Sequence, residues 1–209
     1  MKKTILGAFA LASMALVSCG EGETTETNNQ EAATEPEVVE TVTYMADAGN
    51  SDVNWKGEVV GVYGHEGIIE MKSGEVMVEG DQIVGGNFVI DMTTIWPTDS
   101  ASYSEENPAE KLVGHLGTDD FFSVDQFPTS SFEIKSVNGN EITGDLTVKG
   151  QTHEETLEVE NIEMTDDGMM MSGKLVFDRQ KYGVSWEHYV KDYVLSDDIV
   201  ITYNLVAKK

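Results

Sequence analysis

The chain has 209 residues, 13 of them Lys or Arg and 38 Asp or Glu, for a formal net charge of −25. That balance excludes a nucleic-acid binder, which needs cations to displace counterions from phosphate, and argues against electrostatic docking on an anionic bilayer. With 40% apolar residues one sizeable core can form, whereas one Cys and four His allow no disulfide framework and little transition-metal chemistry.

Met1-Lys2-Lys3, an apolar run from Ile5 to Val17 and the small residues Ser18-Cys19-Gly20 describe a secretory signal peptide over residues 1–18. The run falls short of the roughly 20 apolar residues that cross a bilayer. Leu16-Val17-Ser18-Cys19 resembles the bacterial lipobox, which implies a lipidated Cys19 as the mature N-terminus. Each buried acyl CH₂ contributes about 0.8 kcal/mol, so several chains on one residue hold a protein at a membrane. The expected location is therefore the bacterial cell envelope, lipid-anchored, on the periplasmic or outer-surface side. Between Gly20 and Thr43 stands no Lys, Arg or aromatic residue, and residues 19–43 read as the lipidated Cys plus an acidic, disordered tether.

From Tyr44 onwards the pattern has period two. Val53 and Trp55, Val76 and Val78, Phe88, Ile90 and Met92, and Phe132 and Ile134 each alternate with polar neighbours. Leu146 and Val148, and Leu157 and Val159, do the same, while Met171, Leu175 and Phe177 share a parity, as do Ile199, Ile201, Tyr203 and Leu205. These are eight strand candidates with one apolar face each. Glu79-Gly80-Asp81, Asn138-Gly139-Asn140 and Asp166-Asp167-Gly168 supply hairpin turns, so near neighbours pair antiparallel. An insertion runs from Ile95 to Thr129, in which Asn107-Pro108-Ala109-Glu110-Lys111 predicts a short helix with Asn107 as cap and Pro108 in the first turn. A second loop, Arg179 to Asp198, carries Trp186, Tyr189 and Tyr193 as candidates to cap a barrel end. No repeat or linker divides residues 44–209, which read as one domain. Such strands bury one face either as a sandwich or as a closed barrel, and periodicity does not choose between them.

Spaced motifs decide more. Gly114-His115-Leu116, Asp120-Phe121-Phe122-Ser123-Val124-Asp125-Gln126-Phe127-Pro128 and Phe132 are followed by Gly144-Asp145-Leu146-Thr147-Val148-Lys149-Gly150-Gln151-Thr152. Phe177-Asp178-Arg179, Tyr182-Gly183-Val184 and Asp198-Ile199-Val200-Ile201 complete the set. In this order, across essentially all of residues 44–209, the chain resembles the YceI-like family. His153-Glu154 and Lys181-Tyr182 are departures from its common pattern. The resemblance implies an all-β, lipocalin-like eight-stranded antiparallel β-barrel with short helical insertions. It further implies a polyisoprenoid or other long amphiphilic lipid, such as an isoprenoid quinone, held inside.

Phe88, Ile90, Met92, Phe132 and Ile134 are then expected to line a cavity together with Leu146, Val148, Leu175 and Phe177, and Trp55 and Met171 join them. The alternative is that the same side chains meet across the middle as a solid core. His115, Arg179, Tyr182 and Trp186 are candidate head-group or mouth contacts. The commoner role for such a His is pinning a loop through backbone carbonyls, and for such an Arg a salt bridge or loop clamp. His65-Glu66 and His153-Glu154-Glu155 put adjacent ligands on opposite strand faces, and no acidic pair has the spacing of a calcium loop, so no metal and no cofactor are expected. No Gly-x-Ser-x-Gly elbow is present. The expected function is non-enzymatic sequestration or transport of a long apolar ligand near the membrane, with the lipid and the anchoring membrane as partners and a homodimer left open. Two alternatives stand. A lipid-acting hydrolase needs a His within hydrogen-bond reach of a Ser or carboxylate inside the cavity. A ligand-free envelope stress or surface protein needs a filled core.

Overall fold

The computed structural model describes residues 40–209. The signal peptide, Cys19 and most of the tether lie outside the described residues. Each run of period-two alternation forms a strand: β1 (Thr41–Ala46), β2 (Asp52–Val59), β3 (Tyr63–Glu79), β4 (Gln82–Pro97), β5 (Thr129–Asn138), β6 (Glu141–Val148), β7 (Gln151–Met164), β8 (Gly168–Asp178) and β9 (Asp198–Lys208). A helix, α1 (Ala109–Leu116), interrupts the β4–β5 connection.

All pairings are antiparallel, in the order β3-β2-β9-β8-β7-β6-β5-β4, and β4 closes back onto β3. The result is a closed barrel of eight positions, which leaves no unpaired sheet edge. Nine strands fill eight positions because β1 and β2 share one. Both lie between β3 and β9, β1 against Glu75–Glu79 and β2 against Tyr63–Ile68. A 3₁₀ turn at Ala48–Asn50 breaks this composite strand, and the Ser51 hydroxyl mends the ladder by donating to the Asp47 carbonyl (2.9 Å) and accepting from the Val206 amide (3.0 Å).

Two expectations are corrected. Strand pairing starts at Thr41, three residues inside the segment whose composition reads as tether, because Thr41-Val42-Thr43 adds β-favouring residues opposite Met77–Glu79. The helix cap is Pro108, not Asn107, and it makes no side-chain capping bond. Asn107 is held instead in a reciprocal backbone pair with Ser104, 3.1 Å in each direction, so the helix begins one residue later than its capping signal predicts.

Both long connections lie at one end of the barrel. The β3–β4, β5–β6 and β7–β8 hairpins are tight and share one end, where Gly80 turns the chain at φ 64°. The β4–β5 insertion and the β8–β9 loop share the other end with the β2–β3 and β6–β7 turns. The interior differs correspondingly. At the hairpin end Val76, Val78, Ile142, Met169, Leu205 and Ala207 are all buried to within 2% and pack as a plug. The long-loop end is hollow.

Candidate functional site

Above the plug lies a cavity of about 600 Å³, well within the range of about 300–1,000 Å³ typical of small-molecule sites. Its wall is built by the inward parity of eight strands, β7 contributing Leu157. Val53 and Trp55 stand on β2, Ile69 and Met71 on β3, Phe88, Ile90 and Met92 on β4, and Phe132 on β5. Leu146 and Val148 continue on β6, Leu175 and Phe177 on β8, and Ile199, Ile201 and Tyr203 on β9. Trp55 spends its one polar atom on the wall, its indole N–H donating to the Ile68 carbonyl at 3.1 Å, and leaves an apolar face to the interior.

Leu112, His115 and Leu116 of α1, with Phe121, Phe122 and Trp186, cover the open end. His115 packs edge-on against Phe121 (centroids 4.8 Å) and Trp186 (5.1 Å). Beside this lid is a second cluster. His65 Nδ1 lies 2.8 Å from Asp99 Oδ2 and 3.1 Å from the Tyr103 hydroxyl, which donates to Asp99 Oδ1 at 3.0 Å. Burial opposes ionisation of Asp99, but the bonds from His65, Ser102 and Tyr103 outweigh it and hold the carboxyl below its ordinary range. Burial, then Asp99, pushes the Tyr103 hydroxyl the opposite way. His188 stacks on Tyr189 and accepts the Val190 amide at Nδ1 (3.0 Å), which leaves its ring proton on Nε2.

Of the lining expected from sequence, every residue except Ile134 faces the cavity. Ile134 is buried, but it sits opposite Gly144 on the hairpin side and belongs to the plug. Of the four expected mouth contacts, His115 and Trp186 line the cavity, and Arg179 and Tyr182 do not. Arg179 is 2% exposed and turns away to hold the β8–β9 loop. It donates to the carbonyls of Ser196 (2.9 Å), Val184 (2.5 Å) and Trp186 (3.2 Å) and to Asp197 (3.1 Å). Tyr182 is fully buried outside the wall, edge-on to Phe177 and bonded to Glu155 at 3.1 Å. His115 keeps its Nε2 buried with no partner.

Ser130 and Tyr203 share that condition. Each is 8% exposed, each lines the cavity, and each carries an unpartnered hydroxyl. Leaving such a group unpaired costs about 1–3 kcal/mol. The Tyr203 ring crosses the sheet over Gly173, where an added Cβ would stand 2.7 Å from the hydroxyl. Both were findable in the sequence, because Ser130 has the parity of Phe132 and Tyr203 that of Ile201, so each is a polar atom on an apolar face. His65 and His188 gave no such signal.

The contact expected of a hydrolase, a His within hydrogen-bond reach of a carboxylate, is present at the cavity edge, where the lining residue His65 lies 2.8 Å from Asp99, which itself is not among the lining residues. His65 makes both of its hydrogen bonds through Nδ1, to Asp99 and Tyr103, and no nucleophilic hydroxyl is bonded to its other nitrogen. Among the described residues no three His, Cys, Asp or Glu side chains converge as metal ligands.

Comparison with known proteins agrees with this architecture. The crystal structure of Burkholderia cenocepacia BcnA is similar at a TM-score of 0.62 and 19% identity, over 78% of this chain and 99% of that one. The structure of a polyisoprenoid binding domain from Saccharophagus degradans is similar at a TM-score of 0.56 and 14% identity, over 79% and 97%. At these identities the likeness is one of fold. A UPF0312 protein of Staphylococcus aureus (strain bovine RF122 / ET3-1) is 36% identical over 121 residues, and the chain spans 66% of that relative's length. A UPF0312 protein of Staphylococcus epidermidis is 30% identical over 147 residues, which are 67% of this chain and 81% of that protein. The YceI-like domain profile matches residues 44–207, from within β1 to the last-but-one residue of β9, and the chain belongs to the YceI-like family.

Proposed function

We propose that this protein holds a polyisoprenoid, or a similar long amphiphilic lipid, inside its barrel and sequesters or ferries it near a membrane. The observation that carries the reading is the cavity of about 600 Å³ with an almost wholly apolar wall, closed below by a plug and above by loops. Filling it with hydrocarbon removes apolar surface from water on both partners. At about 0.8 kcal/mol per CH₂, burying roughly fifteen carbons contributes about 12 kcal/mol. That is comparable with the association cost of about 4–15 kcal/mol, so a long chain is needed and a short one is not held. The polyisoprenoid binding domain of similar fold supports the choice of ligand class. We further propose export and anchoring through Cys19, which places the barrel at a source of such lipids. Replacing Cys19 with Ala should release the protein from the membrane fraction.

Native mass spectrometry of protein purified from its own cell envelope tests the binding reading. One polyprenyl molecule per chain is the expected result. Protein that is empty and ignores added geranylgeraniol overturns it. A steric control uses Val148→Phe and Leu175→Phe, which extend wall side chains into open space. Each should lower uptake at least tenfold while the fold is kept, because the added ring finds room instead of forcing the core apart.

A further inference from the structure

Four hairpins of the barrel turn on polar tips, at Glu79-Gly80-Asp81, Asn138-Gly139-Asn140, Lys149-Gly150 and Asp166-Asp167-Gly168. The β2–β3 hairpin does not. It turns on Val60-Gly61-Val62-Tyr63, with Val60 56%, Val62 48% and Tyr63 43% exposed. The β8–β9 loop lies against this turn. The Val60 amide donates to the Val194 carbonyl (2.9 Å), and the Tyr63 ring meets Tyr193 edge-on (centroids 6.3 Å). That loop adds Val194 and Tyr189, 61% and 88% exposed. Tyr189, Val194 and Val60 are the three most exposed large apolar side chains among the described residues, and all three stand on these two adjoining segments. An apolar surface gathered in this way marks a contact with something other than water. The patch also runs inward. Tyr63 and Tyr189 are exposed and line the cavity as well, so the cavity reaches the surface at this seam.

We infer that this rim docks the mouth of the barrel onto a bilayer surface of neutral head groups. Five side chains are too few for a stable protein interface, which engages roughly 20–30 residues a side. They suffice to dip into a head-group layer, where a Tyr ring finds apolar surroundings and its hydroxyl stays wet. A second copy seated mouth to mouth would close the seam and bring two strongly acidic bodies together. An anionic surface would repel a chain of net charge −25. The charges that flank the seam in sequence, Lys56, Glu58, Glu187, Lys191 and Asp192, nearly cancel, and Lys56 is paired with Glu58 at 3.4 Å. Neutral head groups therefore let the apolar contact act unopposed. This rests on the carrier reading and names the surface where cargo is exchanged: at a docked rim a long apolar chain passes between bilayer and cavity without exposing its length to water.

Site-resolved hydrogen exchange tests the inference on the full chain carrying Cys19→Ala, so that no acyl chain contributes. With phosphatidylcholine vesicles, exchange in residues 59–64 and 187–195 should slow at least threefold, and residues 79–82 at the plugged end should not change. Val60→Ser, Val62→Ser and Val194→Ser together should abolish the slowing, whereas Val84→Ser with Met170→Ser, exposed apolar positions near the plugged end, should leave it intact. None of Val60, Val62 and Val194 lines the cavity, so the triple variant should still retain geranylgeraniol delivered in detergent, read by native mass spectrometry. Absence of slowing at the rim overturns the docking inference, as does slowing that persists in the triple variant or is stronger on phosphatidylserine. Slowing that appears without vesicles as protein concentration rises assigns the rim to a second copy and overturns it too. Retention of geranylgeraniol by a protein whose rim ignores vesicles leaves the carrier reading standing alone; a protected rim on a protein that retains nothing supports docking and removes the cargo.

Discussion

Four tyrosines show how much a single side chain carries here. Burial raises the pKa of Tyr182, with Glu155 adding to it, and of Tyr203, with Glu160 adding to it. Burial also raises Tyr103 next to Asp99, and Tyr63 next to Tyr189 and Tyr193. In the unfolded chain each would titrate near 10. Above that pH the unfolded state releases protons that the folded state keeps, so unfolding is favoured as pH rises. The stability these residues contribute is fully present below about pH 10 and is lost as pH climbs through their folded values. The thermal midpoint should therefore drop steeply above pH 10, and less steeply in Tyr182→Phe, which also loses its bond to Glu155. A midpoint flat across that range would contradict the burial of Tyr182 and Tyr203, the two that the fold encloses. The site was only partly legible at this scale. Parity along a strand says which side chains point inward, so Phe88, Met92, Leu146 and Phe177 were readable. It does not say at what height along the axis they sit, because height is set by register between strands. Ile134 was misplaced for that reason. Tyr182 was misplaced because neighbourhood in a motif does not tell the inner side of a wall from the outer, whereas Arg179 takes the loop-clamp role that its sequence reading favoured over a mouth contact.

At the scale of elements, the two long connections make the site, and both are held by bonds that only the folded chain reveals. Arg179 gathers three carbonyls and Asp197 of the β8–β9 loop. Lys149 ties the β6–β7 turn to the carbonyls of Asp119 (2.7 Å) and Gly183 (2.9 Å), one in each long connection. Lys cannot reproduce the guanidinium fork. Arg179→Lys should therefore destabilise the fold by about 2 kcal/mol, measured by urea unfolding. It should also speed amide exchange in residues 184–197 before the strands respond, since the loop is the part it holds. Uniform faster exchange throughout the barrel would show instead that Arg179 supports the sheet. Eight strands and their order followed from alternation and turn residues, because a period of two is a local property. The lid did not. Its helix was foreseen one residue early, and the convergence of His115, Phe121 and Trp186 depends on how far each loop folds over the barrel.

For the molecule as a whole, plug and cavity divide the interior between them, so the filled-core and hollow-barrel readings each describe one half. The plug half supplies cooperative stability, and the hollow half leaves apolar walls without partners in the empty protein. A ligand that fills the cavity restores those contacts and should raise stability by mass action. At a free ligand concentration a hundred times the Kd the gain should be about 2.7 kcal/mol, visible as a higher thermal midpoint with geranylgeraniol. Val148→Phe should show little of that gain, since its ring already occupies part of the space. The family resemblance, carried by motifs from Gly114 to Ile201, reached this scale from sequence; the depth of the cavity, whose lining reaches Leu205 but not Ile142, did not.

The ends of the barrel also differ in which of them receives the chain. Thr41 pairs with Glu79 beside the Gly80 turn, at the plug. β3 has 17 residues, which at about 3.3 Å each and a tilt of about 40° make the wall roughly 40 Å tall. The described chain therefore enters the barrel at its plugged end, a full wall height from the loops that cover the cavity, so changes at Thr41 and its neighbours load the plug and leave the cavity lining untouched.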